Sequence, residues 1–258
     1  VGGGFGPKGS FYPEDLVIPW LTLQLKSPVR WTGDRMEFIQ ATIQEREGIH
    51  KVTVGFDDEG HVLALKVHTI LDTGAYAIYG PLNSLNVLSH AVGLYKITNY
   101  EGTLDQVYTH RVPCGPLRGA SRPQGAFIVE RTMDRIADKL GLDNTEVRFR
   151  NFIQPEEIPY VVGIPTWAGP MTYESGNYPA LLKETLNKAG YESLRKQDRR
   201  SDGGKLLGVG VACNVEMTGG GPFEGAKMHV EPNGTVVVAT GSTPQGQGHA
   251  STFAQVAA

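Results

Sequence analysis

The longest regular pattern of apolar positions in the chain has the spacing of an α-helix. In the stretch QGAFIVERTMDRIADKL, apolar residues recur every three or four positions and so share one face of a helix that ends at Gly141. These residues are Ala126, Val129, Met133, Ile136, Ala137 and Leu140. The stretch DNTEVRFRNFI predicts a short second helix with Asn144 or Thr145 as its cap. PEDLVIPWLTLQL, before Pro28, and YPALLKETLNKAG predict further helices.

Partly alternating β-branched residues predict strands elsewhere. HKVTVGF and HVLALKVHTIL flank the turn DDEG and predict a hairpin, and AKMHV and TVVVAT do the same around EPNG. Residues 95–112 predict one or two more strands, and DTGAYAIYG predicts a loop of small residues. KLLGVGVACNVEM predicts a strand in which Cys213 is a small core residue. The whole pattern is that of an α+β fold.

A change of composition divides the chain. Pro, Gly, Trp and Tyr dominate residues 153–177, and this predicts a first domain over 1–157 and a second over 158–258. The polar run ESLRKQDRRSDGGK inside the second domain predicts solvated surface.

Composition and charge exclude several classes of function. The 258 residues carry a formal net charge of −3, which gives no basic field for nucleic acid. No apolar run approaches the ~20 residues of a membrane span. The two cysteines, Cys114 and Cys213, have no metal-site or disulfide-framework spacing, which favours a reducing compartment and hence the cytoplasm.

Familiar nucleotide and metal motifs fail on inspection. GFGPKG at residues 4–9 matches G-x-G-x-x-G, but no strand precedes it and position 29 is a valine rather than an acid. GSTPQGQG has Gln247 where a phosphate-binding loop needs lysine. The seven histidines show no ligand spacing, so no metal held by protein side chains is predicted. Cys114 has no histidine partner that would make it a nucleophile.

Three glycine-rich stretches are not explained by ordinary turns: VGGGFG at 1–6, VPCGPLRGASRPQ at 112–124 and PQGQGH at 244–249. The second runs into the long predicted helix, and the third precedes ASTFAQVAA, which also predicts a helix. A helix start presents free N–H groups and a positive dipole end, which suit anionic oxygens.

Together with other long segments, these stretches resemble the molybdenum-binding large subunits of the xanthine dehydrogenase/aldehyde oxidase family, especially its carbon monoxide dehydrogenase-like bacterial branch. The other segments are SPVRWTGDRMEF, TILDTGAYA, RPQGAFIVERTMDRIADKLGLDNTEVRFRNFI and EGAKMHVEPNGTVVVATGSTPQGQGHASTFAQVAA. The resemblance covers essentially the whole chain and implies a two-domain molybdopterin-binding fold. The chain is expected to be an internal piece of such a subunit, without its N-terminal hammerhead-like region and its C-terminal part.

The resemblance also implies roles for particular residues. A first loop closes over the molybdenum and gives the aromatic wall of the substrate pocket; its members are Gly3, Gly4, Phe5 and Gly6. Arg118, followed by Gly119 and Ala120, becomes the catalytic arginine beside the metal. The last stretch contacts the pterin and its phosphates through Gln245, Gly246, Gln247, Gly248 and His249. Because the metal is held by the pterin dithiolene, no protein metal ligand is expected.

The implied activity is hydroxylation with water. The implied cofactor is molybdopterin cytosine dinucleotide, and the implied partners are a 2Fe–2S subunit and an FAD subunit that take the electrons. The family's catalytic glutamate is expected beyond residue 258, and neither Glu216 nor Glu224 is assigned that role. Gly119 replaces the copper-binding cysteine of carbon monoxide dehydrogenases, and Gly9 replaces the glutamate of purine-oxidising members, which leaves aldehydes or aromatic N-heterocycles as substrates. The alternative is a non-catalytic fragment that only binds cofactor or a partner.

Overall fold

Helices packed on small β-sheets make up the fold. The computed structural model describes residues 3–166, 169–196, 204–216 and 223–258. The helices are α1 (Pro13–Leu25), α2 (Arg35–Ala41), α3 (Gly80–His90), α4 (Arg122–Leu140), α5 (Asn144–Asn151), α6 (Tyr178–Ala189), α7 (Tyr191–Lys196) and α8 (His249–Ala257). The strands are β1 (Gly48–Phe56), β2 (Val62–Gly74), β3 (Tyr100–Tyr108), β4 (Tyr160–Thr166), β5 (Gly169–Tyr173), β6 (Ala226–Val230) and β7 (Val236–Thr240). This mixture confirms the α+β prediction.

A three-stranded sheet supports the first half of the chain. The predicted hairpin is confirmed, since β1 and β2 pair antiparallel with Val52 opposite Val67. Residues 95–112 contribute a single strand, β3, which pairs parallel to β2. A parallel pair needs a crossover connection, and α3 is the helix in that connection. The sequence did not predict α3, because its apolar residues are separated by Asn and Ser.

The main core lies on α4. The predicted helix face is largely confirmed: Val129, Met133, Ile136 and Ala137 are no more than 1% exposed, while Ala126 and Leu140 are half-buried. Gly125 lets α3 and α4 come close, because a Cβ there would lie 2.7 Å from the carbonyl oxygen of Val87. Leu182 of α6 joins the same core, so residues on both sides of position 157 pack together.

A buried ion cluster ties α4 and α5 to the later segment 204–216. The Arg148 side chain is fully buried; its Nε donates to Glu130 Oε2 at 2.9 Å and its Nη2 to Asp134 Oδ1 at 3.0 Å. Glu130 Oε2 also accepts the backbone N–H of Cys213 at 2.8 Å. The predicted strand around Cys213 is therefore wrong: residues 204–216 contain no β-strand, and this backbone amide donates to a side chain instead of to a neighbouring strand.

Several other predictions change in detail. Asp143, rather than Asn144 or Thr145, caps α5, because its Oδ1 accepts the N–H of Thr145 at 2.8 Å. The stretch DTGAYAIYG is a loop only after Gly74, where β2 ends. The hairpin β4–β5 and the short helices α2 and α7 were not predicted.

Other predicted elements are confirmed. Helices α1, α6 and α8 and the hairpin β6–β7 form where the sequence places them. Every residue of β6 and β7 is exposed.

Part of the predicted polar run, residues 197–203, lies outside the described residues. No helix in the described part of the chain is long and apolar enough to cross a membrane. The boundary between residues 157 and 158 stays a prediction.

Candidate functional site

The three glycine-rich stretches meet around Phe5, although almost 240 positions separate the first from the last. The backbone N–H of Gly4 donates to the carbonyl oxygen of Gln245 at 2.7 Å. The guanidinium carbon of Arg118 lies 5.9 Å from the centre of the Phe5 ring, within cation–π range. The first loop therefore contacts both of the others, and residues 1 and 2 of that loop lie outside the described residues.

Glycine is required where these loops touch. Gly6 has φ of 105°, and a Cβ there would lie 2.1 Å from the carbonyl oxygen of Pro116. Gly246 has φ of 102°, and its Cβ would lie 2.9 Å from Cζ of Phe5. Both positions combine a backbone conformation that other residues rarely adopt with space for no side chain. The contacts between the loops thus depend on bare backbone.

A cavity of about 400 Å³ opens beside the contact between the first and third stretches. Backbone and polar side chains line it: Gly3, Gly4, Lys8, Gly9, Pro244, Gln245 and Gly246. A Cβ on Gly3 would lie 2.3 Å from Cε2 of Phe5 and 3.0 Å from the carbonyl oxygen of Gln245. The Phe5 ring and the Gln245 backbone therefore fill the space that a side chain at Gly3 would need, and glycine lets the first and third stretches pack directly on each other.

Backbone strain is concentrated at this place. Gly119, Ala120 and Ser121, which lead into α4, have φ of 102°, 46° and 67°. Among the described residues, five other than glycine have positive φ, and four of them belong to the site or contact it: Phe5, Arg46, Ala120 and Ser121. Strained residues other than glycine persist only where the surroundings hold them, and they tend to cluster at functional sites.

Two residues that the sequence analysis missed support the Arg118 loop. The Glu45 side chain is 3% exposed; its Oε2 accepts the N–H of Leu117 at 3.0 Å and its Oε1 accepts the hydroxyl of Ser121 at 2.9 Å. The guanidinium of Arg46 donates to the carbonyl oxygen of Arg118. The sequence QERE shows only a charged run before a strand, which is ordinarily solvated, so nothing in it pointed to a buried carboxylate.

A second set of buried polar groups lies beneath the start of α4. Asn86 Nδ2 donates to the carbonyl oxygen of Ala120 at 2.8 Å. His90 is 3% exposed, and burial, followed by the charge of Arg122, lowers the pKa of its imidazole to about 4. The ring is therefore neutral, and its Nδ1–H donates to the carbonyl oxygen of Asn86 at 3.1 Å. Among the described residues, Nε2 of His90 and Nε of Arg122 are buried without a hydrogen-bond partner.

The third stretch has much less support. Residues 245–248 are exposed, Gly248 has φ of 80°, and α8 begins at His249. The His249 ring stacks on Phe253 with centroids 4.8 Å apart, and its Nδ1 is buried with no hydrogen-bond partner in the described chain. The first N–H groups of any α-helix lack acceptors within the helix. A buried imidazole nitrogen and a free helix start together fit an anionic oxygen.

The other candidate side chains already have structural partners. Glu216 Oε1 lies 3.5 Å from Nη1 of Arg122, and Glu224 accepts the hydroxyl of Ser242 at 2.8 Å. Burial, followed by the charge of Asp72, raises the pKa of the Cys114 thiol, and burial raises that of Cys213 to about 11. Neither thiol is therefore prepared as a nucleophile. The described residues contain no group of three or more His, Cys, Asp or Glu placed to hold a metal.

Comparison with protein-family models gives two matches, both described as a molybdopterin cofactor-binding domain. One covers residues 1–152 and the other residues 184–258. The three glycine-rich stretches that meet around Phe5 thus lie inside the matched segments, two in the first and one in the second.

Relatives match along the whole chain. The gamma subunit of the 6-hydroxypseudooxynicotine dehydrogenase complex of Paenarthrobacter nicotinovorans is 34% identical, and the match covers 100% of this chain and 33% of the relative. The large chain of the carbon monoxide dehydrogenase of Afipia carboxidovorans is 29% identical, over 100% of this chain and 34% of the relative. The crystal structure of quinoline 2-oxidoreductase from Pseudomonas putida 86 superposes with a TM-score of 0.79 at 31% identity. This match covers 100% of this chain and 34% of the quinoline 2-oxidoreductase chain. The chain therefore spans about a third of the length of the relatives it matches.

Proposed function

Since the chain belongs to the family of molybdopterin cofactor-binding domains, we propose that it holds the molybdenum cofactor of an oxidoreductase that hydroxylates a small organic substrate with water. The observation that carries the proposal is the meeting of three distant glycine-rich stretches at one aromatic ring, Phe5. A shared ligand explains why these loops converge with bare backbone at their contacts, whereas ordinary surface turns need no such convergence.

The first and third stretches would hold the cofactor. The cavity beside Gly3 and Gly4 would take part of the cofactor, and the start of α8 offers N–H groups to phosphate oxygens. The unpartnered Nδ1 of His249 adds a donor or an acceptor at the same end. Gln245 and Gln247 contribute amide groups. These donors suit the pyrophosphate of a dinucleotide form, and we propose molybdopterin cytosine dinucleotide.

Arg118 would act next to the reacting atoms. When bound, the cofactor supplies oxidation–reduction chemistry at its metal. The Arg118 side chain is exposed on the face of the loop that meets Phe5, and Arg46 holds its carbonyl group. A guanidinium in this place stabilises negative charge that develops on a substrate oxygen or nitrogen. The Phe5 ring orients the substrate and excludes water from one side.

The substrate class follows from the residues at two positions. Gly119 follows the arginine where a copper-binding cysteine would be needed for carbon monoxide, and Gly9 stands where purine oxidation would need a glutamate. One relative is named for quinoline, an aromatic N-heterocycle, which favours this class over aldehydes. We further propose that electrons leave to a 2Fe–2S subunit and an FAD subunit, and that the enzyme works in the cytoplasm.

Metal analysis and one arginine variant test the proposal. The natural protein that carries this chain, purified with its partners, should contain about one molybdenum per chain. Arg118→Ala should lower kcat/KM on quinoline or a related heterocycle by ~10²-fold or more, because it removes a charge that acts in the transition state. Arg135→Ala, an exposed arginine on α4, is the matched control and should leave kcat/KM unchanged.

Three outcomes would contradict parts of the proposal. Absence of molybdenum from the assembled protein would rule out the hydroxylase. Full molybdenum content without turnover on heterocycles or aldehydes would favour a cofactor-holding piece. Loss of folding in Arg118→Ala, seen as a lower unfolding temperature, would make Arg118 a structural residue.

A further inference from the structure

The loop that presents Arg118 is braced from behind by one buried carboxylate. Glu45 lies just before β1, far from Arg118 in sequence, and its two oxygens accept from Leu117 and Ser121. These two residues bracket Arg118, Gly119 and Ala120. We propose that Glu45 is a positioning residue that fixes the conformation of this loop, and the proposal rests on the function given above to Arg118.

The backbone of the loop explains why such a brace is needed. Gly119, Ala120 and Ser121 all have positive φ, and a run of three such residues is strained for the two that carry a Cβ. The turn hydrogen bond from Ala120 N to Leu117 O, at 2.7 Å, closes only part of this segment. Hydrogen bonds to a charged acceptor are stronger than neutral ones, so a carboxylate that accepts at both ends can hold the strained run in place.

The neighbours of Glu45 extend the brace along the loop. Arg46 Nε lies 3.5 Å from Glu45 Oε2, so the buried charge has a cation beside it, and the same guanidinium holds the Arg118 carbonyl. Gln44 adds two backbone hydrogen bonds: its N–H donates to Pro113 O at 3.1 Å, and its carbonyl accepts from Gly115 N at 2.9 Å. Residues 44–46 therefore fix the backbone on either side of Arg118 and leave its side chain exposed towards Phe5.

This arrangement separates the role of Glu45 from that of the residues at the cavity. Glu45 does not line the cavity beside Gly3 and Gly4, and both oxygens already accept from the loop. Removing the carboxylate should release the Arg118 loop and leave cofactor retention by the first and third stretches intact. Turnover should therefore fall through kcat, while molybdenum content and KM change little.

The test measures amide hydrogen exchange in the natural protein that carries this chain, for Glu45→Ala, Glu45→Gln and Ser121→Ala. Exchange over residues 117–121 should be ~10- to 100-fold faster in Glu45→Ala, because the N–H of Leu117 loses its carboxylate acceptor. Glu45→Gln retains one acceptor oxygen and should give a smaller increase in the exchange rate than Glu45→Ala. Ser121→Ala should give an increase between those of the two Glu45 variants. Glu101→Gln is the matched control, since it neutralises an exposed carboxylate paired with Lys66, and its exchange should match the unmodified protein.

The outcomes separate this inference from the proposed function. Unchanged exchange over residues 117–121 in Glu45→Ala would overturn the brace, whether or not the protein contains molybdenum. A uniform increase across α4 and β2 would show a general structural role and would also overturn it. Faster local exchange with unchanged kcat in the loaded enzyme would overturn the positioning role alone. Absence of molybdenum from the unmodified protein would overturn the proposed function and leave the exchange result standing.

Discussion

The loop that leads into α4 and the loop that leads into α8 have similar backbone conformations, but side chains elsewhere in the fold hold the first much more firmly than the second. Each is a glycine-rich turn with positive φ at its last residues, followed by a helix start. The loop before α4 is held by hydrogen bonds from three side chains: Glu45, Arg46 and Asn86. The loop before α8 is exposed and is held mainly by the hydrogen bond from Gly4 to Gln245 and the packing of Phe5 on Gly246.

The difference in support matches the difference in proposed tasks. A catalytic arginine must be placed before the substrate arrives, so its loop needs rigid protein contacts. A loop that wraps phosphates gains hydrogen bonds from the ligand itself, so it needs fewer contacts of its own. We therefore expect the loop before α4 to keep its conformation without cofactor and the loop before α8 to become more ordered when cofactor binds.

The largest effect should come from Gly6, where the first glycine-rich stretch packs against the loop before α4. Gly6→Ala puts a Cβ 2.1 Å from the carbonyl oxygen of Pro116 at a φ of 105°, so the first stretch must move away. We expect a local destabilisation of about 4 kcal/mol or more and loss of cofactor retention. Molybdenum content and amide exchange over residues 3–10 measure it. Gly9→Ala is the control, since the nearest atom to its Cβ lies 3.8 Å away; equal effects of the two variants would contradict the close contact.

Acid should weaken the support of the α4 loop through His90. The pKa of this imidazole is about 4 in the folded protein, against 6.5 in the unfolded chain. As pH falls from 6.5 to 4, the unfolded chain takes up a proton that the folded protein does not, so the free energy of unfolding falls by about 3 kcal/mol. Above pH 6.5 both states are neutral and this group has no effect.

Urea unfolding at several pH values measures the His90 effect. His90→Gln should remove this part of the slope between pH 6.5 and 4, although the substitution itself lowers stability. Amide exchange should accelerate first around residues 84–125 and later, or not at all, in α8. An unchanged slope in His90→Gln would show that the ring titrates normally in the folded protein.

A pair of equal substitutions compares the two loops directly. In Gly119→Ala the new Cβ lies 2.7 Å from Pro123 at φ of 102°, whereas in Gly248→Ala it meets no atom within 4 Å at φ of 80°. We expect about 2–3 kcal/mol of local destabilisation in the first variant and about 1 kcal/mol, from backbone strain alone, in the second. Exchange over residues 117–122 and 246–251 measures both. A larger effect at Gly248 would reverse the assignment of the braced and exposed loops.

The smallest effect should come from Gln247. Its Oε1 accepts the backbone N–H of Gln245 at 2.5 Å in an exposed loop, and such hydrogen bonds contribute about 0.5–1 kcal/mol. In the cofactor-free protein, Gln247→Ala should leave exchange in α8 within twofold of the unmodified protein. The fraction of protein that retains cofactor should fall by more than twofold, because the amide of Gln247 is proposed to bind the ligand. Equal effects with and without cofactor would argue against that role.

The fold was predictable where one periodicity runs through a long segment. The α4 face and both predicted hairpins follow from residue spacing because burial of one face decides their structure. Helix α3 and the strand expected around Cys213 were mispredicted because distant contacts decide them. Glu130, for example, provides the acceptor for the amide of Cys213, and no local pattern reports a partner 83 positions away.

The candidate site was predictable in part. The glycine-rich stretches stood out from their composition and their place before predicted helices, and the role of Arg118 came from sequence resemblance. The structure places these stretches in contact through Phe5. Their individual roles stay predictions. Glu45, Arg46 and Asn86 could not be found from the sequence, because a charged or polar residue looks the same whether it is solvated or braces a loop. The contacts that a side chain makes distinguish the two cases, and those contacts depend on the complete fold.

The ion cluster around Glu130 has an evolutionary consequence. Arg148 is fully buried, so loss of the Glu130 carboxylate would leave an uncompensated charge in the core and a backbone amide at Cys213 without its acceptor. Neither residue can change alone without a large loss of stability. Positions 130 and 148 should therefore vary together among homologous chains, although the residues belong to different helices.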